Sequence, residues 1–422
     1  MNQVNVIKRS LHSYRLWSVL AGFVLTWIAC LHLLGYVHLD AIEGMDRLVQ
    51  DTRVRWRLPV ADERVLIVDI DEKSLAEQGR WTWPRKTLAE LARRITDEGG
   101  ARVLAFDVVF AEPMPLEDSS FTEAIRGRPV VLGYYFSSDE GRRTIGTLPP
   151  PVFAAGELAA QGLRALHWDG YGANLAKMTE AARASGFYNA QVDADGIVRS
   201  LPLLSAYEGH LYESLALAVL RVYHGGEAAI GLRSQSVSIS GTGTGMTIPI
   251  ADDLTALVPF AGKAGPAAKR FRYISAADVL AGRVDPQVFR DRIVLVGASA
   301  QGIGDRHATA VNRSTPGVEI HATLIAGSLA GALQSTPWFG PVGMMLVTLV
   351  AGILISWWMP NIGAAGIGVL SGGLLGMLYL MNLAAFLQLG WVLPLAATFS
   401  LVLVIAIMNL GIGHFVEGKA RR

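Results

Sequence analysis

Two long stretches of this 422-residue chain carry no Asp, Glu, Lys or Arg, and they limit what the chain can fold into. The first covers residues 16–39 and the second covers residues 320–416. A helix as long as the first stretch measures roughly 36 Å, which is enough to cross the ~30 Å hydrocarbon core of a bilayer. The sequence therefore predicts a membrane protein.

The second stretch is interrupted at Pro360 with Asn361 and again near Gly390, which divides it into three apolar segments. Each segment is long enough to cross the bilayer, and the short connections imply tight helical hairpins. A cleaved signal peptide is the rival interpretation of the first stretch, but that stretch is long and lacks a small-residue cleavage site. We therefore expect four transmembrane helices, at residues 16–39, 342–358, 362–387 and 391–411.

Basic residues at the two ends of the chain predict the orientation of these helices. Cytoplasmic flanks of membrane helices are enriched in Lys and Arg, so residues 1–15 and residues 412–422 are expected in the cytoplasm. Four crossings agree with this arrangement. The block between the first and second helices, residues 40–335, then lies on the outer side, in the periplasm. The flanking cations are Lys8, Arg9, Arg15, Lys419, Arg421 and Arg422.

The block at residues 40–335 has the composition of an ordinary water-soluble domain. The whole chain has 37 basic and 36 acidic residues, and only 17% of it is charged because the apolar stretches contribute none. This composition excludes a disordered chain, a soluble cytosolic enzyme and a nucleic-acid partner held by a basic face. Cys30 is the only cysteine and lies in the first apolar stretch, so the block contains no disulfide.

Apolar runs within the block predict an α/β domain with a mixed sheet and flanking helices. Residues 64–71, 102–107 and 292–297 are continuous apolar runs, typical of strands that are covered on both faces. A helical period over residues 85–98 separates the first two runs, which predicts a parallel βαβ unit.

The middle of the block is expected to be more antiparallel. The turn residues Asp193, Asp195 and Gly196 predict a hairpin that pairs residues 186–189 with residues 196–204.

Several of these segments together resemble a CHASE2 domain. The resemblance includes the arrangement of one membrane helix, an outer domain and three further membrane helices. Thr82 departs from the family, which often has proline between the two tryptophans. The matching segments are residues 65–75, 79–85, 103–107, 110–113, 293–297, Asp305 and residues 316–322.

This resemblance implies a bacterial sensory receptor in the inner, cytoplasmic membrane. CHASE2 domains are extracytoplasmic modules, usually joined after the last membrane helix to an adenylate or guanylate cyclase, a histidine kinase or a Ser/Thr kinase. We expect no enzymatic activity within residues 1–422, since the sequence ends shortly after the last predicted membrane helix. The output then belongs to a longer parent chain or to a partner protein.

Polar residues at the ends of the predicted strands form a candidate ligand site. Asp71, Asp107 and Asp305 follow the carboxyl ends of strands, where open α/β sheets bind ligands, and Arg85 and His321 are expected to join them. Clustered carboxylates with a histidine can hold a divalent cation or shift one another's pKa, although no cofactor is evident. The alternative is that Asp71 and Asp107 cap helices or pair with Arg85 to fix loops.

Trp81 and Trp83 are two further candidates for this site. Their rings form either an aromatic wall for a ligand or packing contacts that seat the following helix on the sheet. Packing is the expected role.

Gly368, Gly372 and Gly376 recur every four residues along the third predicted membrane helix. This spacing permits close helix approach, either within the chain or between two copies. Receptors of this type generally act as dimers, so we expect a homodimer or higher oligomer in the lipid bilayer. The lack of charge over residues 320–416 argues against a transporter.

Three functions remain open at this stage. The leading hypothesis is a sensor that passes an outer stimulus across the membrane. The second is a non-enzymatic envelope scaffold that binds a protein partner through the outer domain. A remote third is a periplasmic hydrolase that uses Asp107 and His321.

Overall fold

The computed structural model describes residues 2–59, 62–138, 141–154, 156, 162–225, 228–241 and 245–420. At the two ends of the chain, side chains are described only from Arg15 and up to Gly411, so much of the predicted cytoplasmic flanks lies outside the described side chains. The chain divides into two compact units. The apolar unit comprises the residues up to Arg53 and those from Thr336, and the α/β unit is Val54–Ser335.

Long helices form the apolar unit. By length and composition, three helices among the described residues can cross a membrane: Arg15–Leu33, Gly340–Asn361 and Ala364–Leu389. The full helices are the N-terminal helix (Asn2–Leu33), the anchor helix (Asp40–Val54), the second apolar helix (Gly340–Trp358), the third apolar helix (Ala364–Ala384, with a π-helical turn Ala385–Leu389) and the C-terminal helix (Ala396–Ala420).

The first and last predicted membrane segments differ from these helices. The N-terminal helix ends at Leu33 instead of residue 39, because Gly35 takes a left-handed conformation with φ of 77° that ends the helix. The C-terminal helix begins at Ala396 instead of residue 391, and its described apolar part reaches only Gly411. The described residues thus support three membrane-crossing helices, and the fourth crossing stays a prediction.

Small residues hold the N-terminal helix against the second apolar helix. A Cβ atom added to Gly22 would lie 2.3 Å from Ser356 Oγ, and one added to Gly352 would lie 2.3 Å from Thr26 Oγ1. Such distances leave no room for a methyl group, so the two backbones approach as closely as glycine permits.

The anchor helix belongs to the apolar unit, although we expected residues 40–53 in the outer block. Its Asp46 carboxylate accepts the backbone N–H groups of Leu395 and Ala396 at 2.7 and 2.8 Å, and so caps the C-terminal helix. Its Arg53 side chain is 1% exposed and donates from Nη1 to Asn382 Oδ1 at 2.5 Å. These polar contacts explain why the anchor helix belongs to the apolar unit and why the C-terminal helix begins at Ala396.

The strands of the α/β unit are numbered in chain order as far as the structure describes them. They are β1 (Val65–Ile70), β2 (Val103–Phe106), β3 (Val130–Ser137), β4 (Thr144–Ile145), β5 (Phe153–Ala154), β6 (Leu166–His167), β7 (Gly170–Gly172), β8 (Ala184–Phe187), β9 (Gln191–Val192), β10 (Ile197–Pro202), β11 (Leu204–Tyr207), β12 (His210–Glu213), β13 (Ala229–Arg233), β14 (Ser236–Ser240), β15 (Met246–Pro249), β16 (Thr255–Leu257), β17 (Arg272–Ser275), β18 (Ile293–Ala298), β19 (Arg306–Thr309) and β20 (Thr315–Pro316).

The main sheet has the order β17-β1-β18-β2-β3-β7-β4, with β8 also paired to β3. The strands β17, β1, β18, β2, β3 and β8 run parallel to their neighbours, whereas β7 is antiparallel to β3. The predicted mixed sheet is therefore confirmed. Helices flank it at Glu72–Gln78, Arg85–Arg93, Asp118–Ile125, Ala176–Ala181, Leu215–Tyr223, Ala276–Leu280 and Gly317–Leu329.

The strands β1 and β2 consist of buried residues only, which is why their sequences are continuous apolar runs. The helix Arg85–Arg93 packs Leu88 and Leu91 into the same hydrophobic core as the side chains of these strands. It continues as a π-helical turn, Arg94–Glu98, within the range predicted as helix.

The predicted hairpin turn at Asp193–Gly196 is confirmed, but the assignment of residues 186–189 as its first strand is wrong. The strand β8 pairs in parallel with β3, with Val131 opposite Ala184, because the helix Ala176–Ala181 carries the chain back to the same end of the sheet. The strand β10 instead pairs with β9 across the turn at Asp193.

Candidate functional site

Polar residues occupy the carboxyl edge of four neighbouring parallel strands. Ser275 ends β17, Asp71 follows β1, Ser299 follows β18 and Asp107 follows β2. This edge of an open α/β sheet is where ligands commonly bind. Two cavities lie along it, the edge cavity of about 440 Å³ and the second cavity of about 850 Å³.

The edge cavity brings together five of the seven predicted ligand residues. Its walls are otherwise largely apolar, with Ile70, Val108, Met114, Ile303 and Ile320 among them. The predicted residues in its lining are Trp81, Arg85, Asp107, Asp305 and His321, and the added polar residues are Thr82, Glu112, Tyr135, Tyr188 and His307.

Asp107 is the half-buried carboxylate of this cavity. Its backbone N–H donates to Val296 O at 2.8 Å, which continues the β2–β18 ladder and fixes the residue at the strand end. Burial raises the pKa of the Asp107 carboxyl to about 7; the charge of Asp305 adds to this rise and His307 opposes it. Among the described residues, none donates a hydrogen bond to this carboxylate. Asp107 is therefore poised to change its charge near neutral pH.

Asp305 lies on the loop after β18 and faces His307. Its Oδ2 lies 2.6 Å from His307 Nε2, and this bond holds the pKa of the Asp305 carboxyl below its usual range. Its backbone oxygen accepts the N–H of Gly317 at 2.8 Å, which ties the loop to the start of the helix Gly317–Leu329. The Asp305 side chain is 71% exposed, so it stays ionised at the mouth of the cavity.

His321 lies one turn into the helix Gly317–Leu329 and is only 3% exposed. Its Nε2 lies 3.1 Å from the backbone oxygen of Tyr188. Because a carbonyl can only accept, Nε2 carries the proton and Nδ1 of the neutral ring has a free lone pair. Nδ1 has no partner among the described residues, and burial lowers the pKa of His321 to about 4.

Arg85 fixes a loop within the α/β unit. The side chain is 3% exposed, its Nε donates to Asp118 Oδ1 at 3.2 Å, and its Nη2 donates to the backbone oxygen of Glu112 at 2.9 Å. The guanidinium also lies over the Phe110 ring, 4.9 Å from its centroid. The loop-fixing alternative therefore describes Arg85, with Asp118 as its partner in place of Asp71 or Asp107.

The two tryptophans have different positions. Trp83 is fully buried in the core, and its Nε1 donates to the backbone oxygen of Gly79 at 3.0 Å. Trp81 is half-buried, lines the edge cavity and meets Trp83 edge to face at 5.5 Å between ring centroids. Packing thus explains Trp83, and Trp81 alone faces the cavity.

Asp71 lies in the second cavity and caps the helix Glu72–Gln78. Its Oδ1 accepts from the backbone N–H of Ser74 at 2.8 Å and from the hydroxyl of Ser275 at 2.8 Å. The helix-cap alternative therefore describes Asp71, and the structure separates it from the residues of the edge cavity.

Asp69 is a residue of the second cavity that sequence reasoning missed. It is 2% exposed and accepts from Ser299 N at 2.9 Å and from Ser299 Oγ at 2.6 Å, while burial raises its pKa to about 6. Its position as a charged residue within the otherwise apolar strand β1 could have identified it from the sequence.

One loop, residues 298–304, contributes to both cavities. Ala298, Ile303 and Gly304 line the edge cavity, whereas Ser299 and Gln301 line the second cavity.

Within the described ranges, no three side chains of His, Cys, Asp or Glu are grouped so that they could hold a metal ion. The divalent cation that the clustered carboxylates could hold therefore lacks a three-ligand set in this part of the chain.

The described residues combine an α/β sheet that carries ligand-sized cavities with helices that are long and apolar enough to cross a membrane, which indicates a membrane-associated domain. The CHASE2 domain family model matches residues 23–357, and the chain belongs to this family. CHASE2 domains are extracytoplasmic sensor domains of signalling proteins. Comparison with curated proteins found no match, and comparison with solved structures found none either.

Proposed function

We propose that this protein is a bacterial membrane sensor whose outer α/β domain receives a stimulus at the carboxyl edge of its sheet. The stimulus passes through the membrane helices to a cytoplasmic output such as a nucleotide cyclase or a kinase. The observation that carries this proposal is the CHASE2 match, because it extends from the N-terminal helix through the whole α/β unit into the second apolar helix. Residues 1–422 perform no catalysis in this scheme.

The proposed topology has four crossings, both termini in the cytoplasm and the α/β unit in the periplasm. It is supported by the cations before the first apolar segment and after the last, and by three helices of sufficient length. The C-terminal helix supplies the fourth crossing, since its backbone continues to Ala420.

The anchor helix is the proposed route of transmission within the apolar unit. It follows the N-terminal helix, and its last residue, Val54, is the first residue of the α/β unit. Asp46 holds the N-terminus of the C-terminal helix through two backbone bonds, and Arg53 holds Asn382. A displacement of the anchor helix therefore acts on the helix that leads to the cytoplasmic output.

A second copy of the chain is the proposed partner of the third apolar helix. A Cβ on Gly368, Gly372 or Gly376 would meet no atom within 4 Å, so this glycine face is not packed by the described residues of its own chain. Gly372→Ile should lower the dimer fraction in detergent, measured by cross-linking, while Met381→Ile, at an exposed position half a turn away from Gly372 on the same helix, should not. Equal dimer fractions for both variants would contradict the proposal that the glycine face is the dimer interface.

A fusion of residues 1–422 to an adenylate cyclase catalytic domain tests the sensor proposal. Cyclic AMP output of the fusion is measured across a range of external pH values and small solutes. Deletion of residues 60–320 should flatten the response, and Asp46→Ala should reduce it without lowering membrane expression. Glu43→Ala, which changes an exposed acid on the same helix, is the matched control. An unchanged response profile after the deletion would exclude sensing by the outer domain.

A further inference from the structure

The polar groups that face the edge cavity include hydrogen-bond acceptors that lack donors. The Asp107 carboxylate and His321 Nδ1 have no donor among the described residues, and His321 is 97% buried. His321 Nδ1 is a buried acceptor without a described partner, which costs free energy, and the half-buried Asp107 carboxylate can also accept, so a guest that supplies N–H donors is favoured here.

The charges around the cavity favour the same kind of guest. Arg85 and His307 are each paired with an acid, Asp118 and Asp305 respectively. Asp107 and Glu112 bring further negative charge to the lining. Asp107 Oδ2 lies 3.9 Å, and Asp305 Cβ 3.7 Å, from the point where a Cβ on Gly317 would be. A Cβ on Gly317 would thus touch both acids, and the glycine leaves this position beside them unfilled.

The size and walls of the cavity indicate an organic guest. About 440 Å³ falls within the range of small-molecule pockets, and the remaining walls are largely apolar. The half-buried Trp81 ring adds an aromatic face of the kind that attracts cations. A bare metal ion would need three protein ligands or more, and no such set is grouped among the residues that the structure describes.

We infer that the edge cavity binds a small organic cation, an ammonium group carried on an aromatic or aliphatic body. The ammonium donates to the Asp107 carboxylate and to His321 Nδ1, Asp305 supplies further negative charge at the mouth, and the body lies against Trp81 and Ile320. This inference rests on the proposed sensor function, since it names the chemical class that the sensor receives.

Three probes with one ring system separate charge from shape. Tryptamine carries an ammonium, tryptophol a hydroxyl and indole-3-acetate a carboxylate, and their binding to the full chain in detergent micelles is measured by calorimetry. Tryptamine should bind at least about tenfold more tightly than tryptophol, because it adds a charge-assisted hydrogen bond. Indole-3-acetate should bind most weakly, since its charge is repelled by Asp107 and Asp305.

Substitution at Asp107 tests the assigned residue. Asp107→Asn should weaken tryptamine binding about tenfold or more while tryptophol binding changes by less than about twofold. Asp278→Asn is the matched control, because this acid is paired with Lys73 at 2.6 Å outside the cavity. Melting curves establish that each variant is folded before its affinity is compared.

Two results would overturn the inference. One is equal affinity for tryptamine and tryptophol, and the other is no binding of tryptamine at millimolar concentration. Calorimetry is independent of the cytoplasmic output, so failure here leaves the sensor proposal standing if the fusion still responds to another stimulus. Conversely, selective amine binding combined with an unregulated fusion would overturn the sensor proposal alone.

Discussion

Two titratable residues in the edge cavity act on stability with opposite signs. The pKa of Asp107 is raised from 3.8 to about 7, so between these values the folded state holds a proton that the unfolded state has released. The pKa of His321 is lowered from 6.5 to about 4, so below pH 6.5 the unfolded state takes up the proton instead. As pH falls from 7 to 4, Asp107 therefore adds stability and His321 removes it.

Asp107→Asn isolates the first of these effects. Asparagine carries no charge, so the variant should be more stable than the wild type above pH 7, by about 2–4 kcal/mol, and nearly equal to it near pH 4. Thermal melting of the full chain in detergent at pH 8 and at pH 4.5 gives the difference. A pH-independent difference would show that desolvation of this carboxylate does not contribute.

The two tryptophans give a matched pair for packing. Trp83→Ala should destabilise the α/β unit by about 3–5 kcal/mol, because a fully buried ring leaves a cavity. Trp81→Ala should cost clearly less, since its ring is half-buried and faces the edge cavity. Denaturant titration of both variants measures the two values, and equal losses would place Trp81 in the core as well.

At the scale of elements, two sets of glycines in the apolar unit have different environments. Gly352→Ala should destabilise the pair of helices it joins by about 1–3 kcal/mol, because the new methyl group would lie 2.3 Å from Thr26 Oγ1. Gly368→Ala is the control, since no atom lies within 4 Å of its added Cβ. Unfolding in detergent under monomeric conditions distinguishes them. A larger loss of stability for Gly368→Ala than for Gly352→Ala would contradict the helix packing given above.

Hydrophobic periodicity within single segments was enough to predict individual strands and helices. The continuous apolar run at residues 64–71 and the helical period over residues 85–98 predicted the strand β1 and the helix Arg85–Arg93 with its π-helical turn with little error. The pairing of strands that are far apart in the sequence could not be predicted in the same way. The strand β8 was assigned to a hairpin, because nothing near Gly186 reveals its parallel partner more than fifty residues earlier in β3.

The candidate site shows the same limit. The rule for carboxyl ends of parallel strands placed Asp107 at the correct edge, and Asp305, Arg85 and His321 line the same cavity. It did not separate Asp71, because the division into two cavities depends on the loop after β18. Which carboxylate pairs with Arg85 depends on the loop 112–118, whose path has no local sequence signal.

At the scale of the whole molecule, the orientation of the chain is the prediction on which the sensor proposal depends. A cysteine at Gly141, in a Cys30→Ala background, should react with a membrane-impermeant maleimide in intact spheroplasts. A cysteine at Ala420 should react only after the membrane is opened. Labelling of the second site but not the first in intact cells would reverse the proposed topology.

The loop at residues 298–304 contributes side chains to both cavities: Ser299 and Gln301 line the second cavity, whereas Ala298, Ile303 and Gly304 line the edge cavity. A shift of this loop on occupation of one cavity would therefore change the lining of the other. We expect binding at the two cavities to be coupled, and reciprocity then requires each guest to alter the affinity of the other by the same factor.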